Sequence, residues 1–325
     1  MPAPSVSDRS GRAIDRTFRV GVIGLLLVGS VTGLLGCRTT SSTDALDSEL
    51  QGIQLPAYVP GTTDSTTVPV RVMSYNIRYN NPSDTQWVER RNQIASMIRF
   101  REPTVVGTQE GKLHQLMDLE ERLSGYERIG VGRKSGAGEF SALFYQTVRM
   151  ELLEYDTFWL SEVPRTPDSM GWDAAFPRIV TWARFRDRIT GAVFFVFNTH
   201  FDHEGETARV ESARLVQKRI DDLVDASSVV VLGDFNAKPE DEPIEILTRS
   251  EAPVPLRDAM AASETQHHGP VATFNGFGDT VIDDRRIDYI FTSPGVSVLR
   301  HGHLDDRWDG SFPSDHLPVL ADLVF

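Results

Sequence analysis

Across 325 residues, 46 acidic side chains outnumber 33 basic ones, and the formal net charge of −13 leaves no basic face on which to grip a long nucleic acid. Hydrophobic residues at 40% and charged residues at 24% exclude a disordered chain and fit a globular domain with a sizeable core. The single cysteine, Cys37, excludes an intrachain disulfide and any cysteine-built metal cluster.

At the N-terminus Arg9, Arg12, Arg16 and Arg19 precede an apolar run from Val20 to Gly36. That run sits at the lower limit for a spanning helix and ends in small residues, as a signal segment does. Leu34-Leu35-Gly36-Cys37 resembles the lipobox of bacterial lipoproteins, in which the cysteine becomes the lipidated first residue. Leu35 departs slightly, because that slot more often holds a small residue. An uncleaved anchor helix is the alternative. Either reading implies an exported protein held at a bacterial cell envelope, and Arg38 after the cysteine favours the outer membrane or cell surface. Residues 1–36 thus read as a lipoprotein signal peptide. Residues 37–69, rich in Ser, Thr, Gly and Pro, read as a flexible tether. The working domain is expected over 70–325, and losing four Arg and two Asp with the leader makes the mature protein more acidic still.

Val70–Ile77 is extended in character. Glu89–Phe100 fits a helix with Ile94, Met97 and Ile98 on one face, closed by Pro103. Thr104–Thr108 is a short β-branched strand, and Leu113, Leu116, Met117 and Leu123 make a helical stripe stopped by Gly125. Short strands are expected at Phe140–Tyr145, Leu152–Leu160, Ile179–Phe185 and Ala192–Asn198. A helix over Glu206–Val224 follows, then the apolar strand Val229–Leu232 and two final strands, Ile287–Phe291 and Leu317–Phe325. There is no internal repeat. Two packed sheets with helices outside would bury all of these apolar faces.

The apolar strands keep ending in chargeable or amide residues. Val70–Tyr75 runs into Asn76, Thr104–Thr108 into Gln109-Glu110, and Val193–Phe197 into Asn198-Thr199-His200. Val229–Leu232 runs into Gly233-Asp234-Phe235-Asn236, Asp288 interrupts Ile287–Ile290, and Asp315-His316 precedes the last strand. One polar strand end is a turn; six imply a shared pocket, since loops on a rigid frame carry ligand sites. Carboxylates with a hydrated shell suit Mg²⁺ or Mn²⁺. His and Asn can donate to phosphate oxygens, an Asp can orient or deprotonate water, and an Asp–His pair fixes an imidazole's tautomer and charge. No serine sits in a Gly-rich elbow, and the cysteine belongs to the leader, so covalent catalysis is not expected.

The stretches SYNIR (Ser74–Arg78), TQE (Thr108–Glu110), NTH (Asn198–His200), GDFN (Gly233–Asn236), RIDYI (Arg286–Ile290) and SDHLPV (Ser314–Val319) occur in this order over nearly all of 70–325. Together they resemble the endonuclease/exonuclease/phosphatase superfamily, whose fold is that of deoxyribonuclease I. The resemblance implies an α+β fold, a four-layer αββα sandwich, and a metal-dependent phosphoester hydrolase, a phosphodiesterase or phosphatase using Mg²⁺ or Mn²⁺. It assigns Glu110 to the metal, with Asn76 supporting that site and Asp315 near the metal or the water. His200 and Asn236 would hold the phosphate, Asp234 would position or activate the water, and His316, oriented by Asp288, would stabilise the transition state. Whether Asp234 or the Asp288–His316 pair is the base stays open. Arg78 stands where abasic-site endonucleases of the superfamily carry an acidic or amide residue, which argues against DNA repair. The substrate is expected to be a small or medium phosphoester and the protein a monomer. A secreted nuclease and a catalytically retired binding protein on the same frame are the alternatives.

Arg178 either reaches the phosphate or is plain surface. Asp202 and His203 read more as a solvated loop than as pocket wall, and Trp172 as packed rather than stacking on substrate. Phe274 and Phe277 either flank substrate or anchor their loop. His267-His268 reads as a polar loop rather than a metal tract, and His114, His301 and His303 have no assigned partner.

Overall fold

The computed structural model describes residues 68–325 apart from 136 and 226. The expected signal peptide, Cys37 and all but the last residues of the tether lie outside the described residues.

In chain order the elements are β1 (Val70–Asn76), α1 (Trp87–Arg101), β2 (Val105–Lys112), α2 (Leu113–Arg122), β3 (Tyr126–Ile129), β4 (Gly132–Lys134), β5 (Ala137–Gln146), β6 (Met150–Trp159) and β7 (Ile179–Asp187). They continue with β8 (Val193–His200), α3 (Glu206–Leu223), β9 (Ser228–Asp234), α4 (Glu242–Thr248), β10 (Arg257–Asp258), α5 (Ala259–Ala262), β11 (Asp288–Thr292), β12 (Ser297–His303) and β13 (Val319–Val324). One sheet runs β12-β13-β1-β2-β5-β3 with β4 beside β5, and the other runs β10-β11-β9-β8-β7-β6.

Strand alternation divides the apolar residues among three cores. Val72, Leu143, Val196, Leu232 and Ile290 fill the space between the sheets. Met73, Tyr75 and Phe144 pack under Ile94 and Ile98 of α1 and Leu116 and Leu119 of α2. Phe197, Val231 and Phe291 pack under Val216 and Ile220 of α3 and Leu247 of α4. The result is the four-layer αββα sandwich, an α+β fold. Each fully buried Val, Leu or Phe contributes about 1.5–3 kcal/mol, so the layers are fixed chiefly by these faces. The sheets approach closely at Gly107, where a Cβ would lie 2.0 Å from Leu232 Cδ1. Only glycine fits there.

The same alternation delivers the polar residues. On β1, Val70 and Val72 face the inter-sheet core, and Asn76 continues their row. On β8, Phe194 and Val196 lead to Asn198 and His200; on β9, Val230 and Leu232 lead to Asp234. β1 and β2 are parallel with Asn76 beside Gln109, and β8 and β9 are parallel with His200 beside Asp234. Antiparallel β11 sets Asp288 beside Asp234, and antiparallel β13 brings its leading residues to the same end of β1. One edge of the sandwich therefore collects the polar ends of both sheets.

The structure departs from the sequence reading at several elements: β2 runs on through Glu110 to Lys112, the last strand starts at Val319, and β3, β4, β10, β12, α4 and α5 were not foreseen. α1 stops where expected: Glu102 takes a left-handed conformation (φ 49°) and Pro103 follows.

Candidate active site

Glu110 reaches the site through an irregularity. Strict alternation would turn it with Val106 toward the helices, but the β2–β5 register shifts between Thr108 and Gly111. Glu110 sits at that bulge with φ 63°, which re-aims its side chain. Its Oε1 accepts a hydrogen bond from Asn76 Nδ2 at 3.0 Å, and its Oε2 accepts from the Tyr79 N–H at 3.1 Å. The same Asn76 Nδ2 donates to Asp234 Oδ2 at 2.9 Å, so one amide bridges carboxylates from the two sheets. The Arg78 N–H donates to Asn76 Oδ1 at 3.0 Å and fixes the amide's orientation.

Around Asp234 the network closes. Its Oδ1 accepts from the Asn236 N–H at 3.0 Å, and its Oδ2 lies 3.4 Å from His200 Nε2 and 3.8 Å from His316 Nε2. Asn236, at φ 46°, donates from Nδ2 to His200 Nε2 at 3.0 Å and to the Phe201 carbonyl at 3.1 Å. His200 Nε2 therefore carries a lone pair. Burial and then the Arg178 and Arg133 guanidinium groups hold the His200 pKa well below the usual histidine value, in agreement. His316 Nδ1 meets Asp288 Oδ2 at 2.8 Å. Burial opposes a charge on His316, yet Asp288 and Asp234 outweigh it and raise its pKa well above the ordinary value. Burial and the Asp288 charge push Asp234 up to about 7, with His316 and Asn76 opposing. Burial, reinforced by Glu110, likewise raises Asp315 against the pull of His316.

These groups open on a cavity of ≈ 800 Å³ bordered by Glu110, Arg178, His200, Asp234, Asn236, Asp315 and His316. Asn76 and Asp288 stand one layer behind, holding Glu110 and Asp234 in the first case and His316 in the second. Arg178 is not plain surface. It is 4% exposed, with Nε donating to Asp202 Oδ2 at 3.2 Å and Nη2 3.0 Å from His203 Nδ1. Asp202, read as part of a solvated loop, is 1% exposed, because its carboxylate also gathers the N–H groups of Ala175, Glu204 and Gly205.

Aromatic walls come from Tyr79, Phe176, Phe274 and Phe277. The Phe274 ring stands edge-on to His316 with centroids 5.0 Å apart. Trp172 does not border the cavity, and Trp87 and Trp159 spend their indole N–H groups on Asp118 and the Arg133 carbonyl. Sequence reasoning missed Arg133 and Glu139, which border the cavity and pair at 3.0 Å. Ser314, read only as part of the SDHLPV stretch and given no role, donates from its hydroxyl to the Asn76 carbonyl at 2.7 Å. Arg133 lies on the three-residue strand β4, which has no apolar period to mark it, and Glu139 sits just before the apolar run of β5 that begins at Phe140.

The donor set fits a hard divalent cation. Glu110, Asp234 and Asp315 are respectively 8%, 1% and 4% exposed, and they crowd one corner where Arg78 is 3.7 Å from Glu110 and 3.5 Å from Asp315. Clustered buried carboxylates, with oxygen atoms as the available donors, suit a hard divalent cation such as Mg²⁺ or Mn²⁺. Ligand atoms of Glu110, His200 and Asp234 lie within 4.8 Å of one another.

Residues 73–316 match the model of the Endonuclease/Exonuclease/phosphatase family. The crystal structure of a family protein from Bacteroides thetaiotaomicron superposes with a TM-score of 0.74 and is 38% identical, over 79% of this chain and 95% of that one. The mannosyl-6-phosphatase of the same organism superposes with a TM-score of 0.73 at 39% identity, over 79% of this chain and 100% of its own. An uncharacterised protein of Acanthamoeba polyphaga mimivirus is 30% identical over 161 residues, a match that spans 46% of this chain and 59% of the viral protein.

Proposed function

The chain belongs to the endonuclease/exonuclease/phosphatase family, and we propose that it hydrolyses a small polar phosphoester, a phosphorylated sugar being the first class to test, with a divalent cation as cofactor. The observation that carries this reading is the bridge from Asn76 Nδ2 to Glu110 and Asp234, with His316 Nε2 3.8 Å from the same Asp234 oxygen. Candidates for cation ligand, water base and charge stabiliser thereby share one buried corner. The size of the substrate is read from the walls. A cavity of ≈ 800 Å³ bordered in part by aromatic rings suits a compact molecule, and Arg133, Glu139, His203 and Glu204 offer partners for hydroxyl groups. A net charge of −13 weighs against long polyanions, and the mannosyl-6-phosphatase at 39% identity supports a sugar phosphate.

In this reading Glu110 and Asp315 would hold the cation, with Asn76 fixing Glu110. When bound, that ion would polarise a phosphoryl oxygen and shield charge on the leaving oxygen. Asp234, whose proton affinity is raised, takes a proton from the attacking water. Asn236 stays anchored on the Phe201 carbonyl through one N–H and shares the other, now on His200, with a phosphoryl oxygen. Arg178, held by Asp202, adds positive charge on the same side. His316 keeps its proton because Asp288 and Asp234 flank it, so it acts as a cationic donor to the transition state rather than as the base.

The test is hydrolysis of sugar phosphates, an aryl monoester, an aryl diester and plasmid DNA, with Mg²⁺, Mn²⁺ or chelator. Sugar phosphates should be cleaved fastest, only with metal, and Asp234→Ala should lose roughly 10²–10⁴-fold while remaining folded. Faster cleavage of plasmid would favour a secreted nuclease, and inertness toward every substrate would favour a binding protein. We further infer that the enzyme is exported, processed before Cys37, lipid-tethered to the cell envelope, and monomeric. The basic leader and the Leu34–Cys37 stretch support the tether.

A further inference from the structure

We propose that His267, His301 and His303 form a second metal site, for a late first-row divalent ion such as Zn²⁺, that fastens the 263–270 segment to the edge of the first sheet. None of the three borders the catalytic cavity. His301 and His303 are two apart on β12 and therefore project from the same side of the strand. The 263–270 segment runs parallel along this edge, with bridges from Ser263 to Val298 and from His268 to Gly302. The His268 N–H donates to the His301 carbonyl at 3.1 Å, and the His303 N–H donates to the His268 carbonyl at 2.9 Å. Gly269, at φ 87°, allows the tight approach, since a Cβ there would lie 2.0 Å from the His303 carbonyl oxygen. The segment thus presses His267 onto the other two rings. Centroid separations are 5.2, 4.6 and 5.2 Å, a nearly equilateral triangle.

Proton accounting points to a ligand. The Pro270 carbonyl can only accept, and it lies 3.0 Å from His267 Nε2 and 2.7 Å from His303 Nδ1. Both of those nitrogens therefore carry hydrogen, which leaves lone pairs on His267 Nδ1 and His303 Nε2. His267 Nδ1 stands 3.0 Å from His301 Nδ1. A neutral His301 has one proton for two nitrogens. Donated to His267, that proton leaves His301 Nε2 bare; kept on Nε2, it sets two lone pairs face to face.

His301 Nε2 and His303 Nε2 are buried and meet no hydrogen-bond partner. Their residues are only 3% and 0% exposed. Orphaned buried acceptors are costly, and a metal ion accepts such lone pairs. One ring nitrogen from each histidine lies within 4.8 Å of the others. The shared carbonyl is the outer partner that metal-bound histidines ordinarily use to fix their tautomer. Burial holds His301 and His303 neutral, with His301 down to about 2 and His303 to about 3, and neutral imidazole is the ligating form. Arg286, whose charge they also feel, is itself paired with Asp258. Three imidazoles prefer Zn²⁺, Co²⁺ or Ni²⁺ over Mg²⁺, so the two sites sort metals by donor chemistry. His267 is half-buried and leaves the fourth position to water.

The test strips the full chain of metal and titrates Co²⁺ in excess Mg²⁺, which occupies the oxygen-rich corner. One equivalent should bind with the visible bands of nitrogen-ligated cobalt, and Zn²⁺ should displace it. His267→Gln, a change on the half-exposed segment, should abolish the bands while leaving Mg²⁺-supported hydrolysis unchanged. His301→Gln should do the same. Zn²⁺ should raise the melting temperature of the parent by roughly 5–10 °C and leave His267→Gln unmoved. Absence of the cobalt bands in the parent, or bands and melting shifts that persist in both variants, would overturn the site.

Discussion

His316 and Asp288 meet through Nδ1 and Oδ2 at 2.8 Å, both buried, while the second oxygen of Asp288 finds no hydrogen-bond partner. That carboxylate is therefore committed to the imidazole. An anion in this position fixes the ring with Nε2 toward Asp234 and favours the protonated form. Replacing Asp288 by Asn keeps the shape and removes the charge. Activity should fall by roughly 10²–10⁴-fold with little change in KM, and the melting temperature should drop only modestly. Activity near that of the parent would mean that the pair is architectural and that His316 works without it.

Asn76 is the other buried support. Its single amide nitrogen serves Glu110 at 3.0 Å and Asp234 at 2.9 Å. Without that donor, two carboxylates in one dry corner repel each other and lose their alignment. Asn76→Ala should weaken apparent Mg²⁺ affinity or activity by roughly 10–100-fold, with part of the loss recovered at high metal. A Mg²⁺ titration of the initial rate checks this. A variant with unaltered metal dependence would remove Asn76 from the metal-supporting role.

Much of this corner was legible because its residues terminate apolar strands, and strand period transmits inward facing from Val72 to Asn76 or from Leu232 to Asp234. What stayed hidden depends on contacts far apart in the chain or on local departures from the period. Glu110 points into the site only because β2 bulges there with φ 63°. Asp202 looks like loop polarity until it is seen beneath Arg178. Nothing near His267 in sequence announces His301, which lies 34 positions on and reaches it only because an unforeseen strand, β12, forms the sheet edge.

The N-terminal reading makes a separate prediction. If Cys37 is the lipidated first residue, the mature chain should partition into detergent and have a blocked N-terminus. Cys37→Ala should leave the protein in the aqueous phase or unprocessed, with hydrolytic activity intact. Detergent retention of a normally processed Cys37→Ala protein would remove the lipid tether.

Asp202 ties stability to pH. Burial opposes its ionisation, but N–H groups of Gly205, Ala175 and Glu204, together with Arg178, pull its pKa from 3.8 down to about 2. A carboxyl depressed by folding stabilises the native state above its unfolded value. That contribution is lost as pH falls from about 4 toward about 2, and it amounts to about 2–3 kcal/mol. Asp202→Asn cannot titrate, so the difference in unfolding free energy between parent and variant should be largest near neutrality and shrink across this acid window. Urea unfolding followed from pH 6 downward in both proteins measures it. The variant should also weaken substrate binding, because Arg178 loses the partner that aims it at the cavity. Parallel pH profiles would show that the Asp202 charge adds nothing to the fold, and an unchanged KM would show that Arg178 does not depend on it.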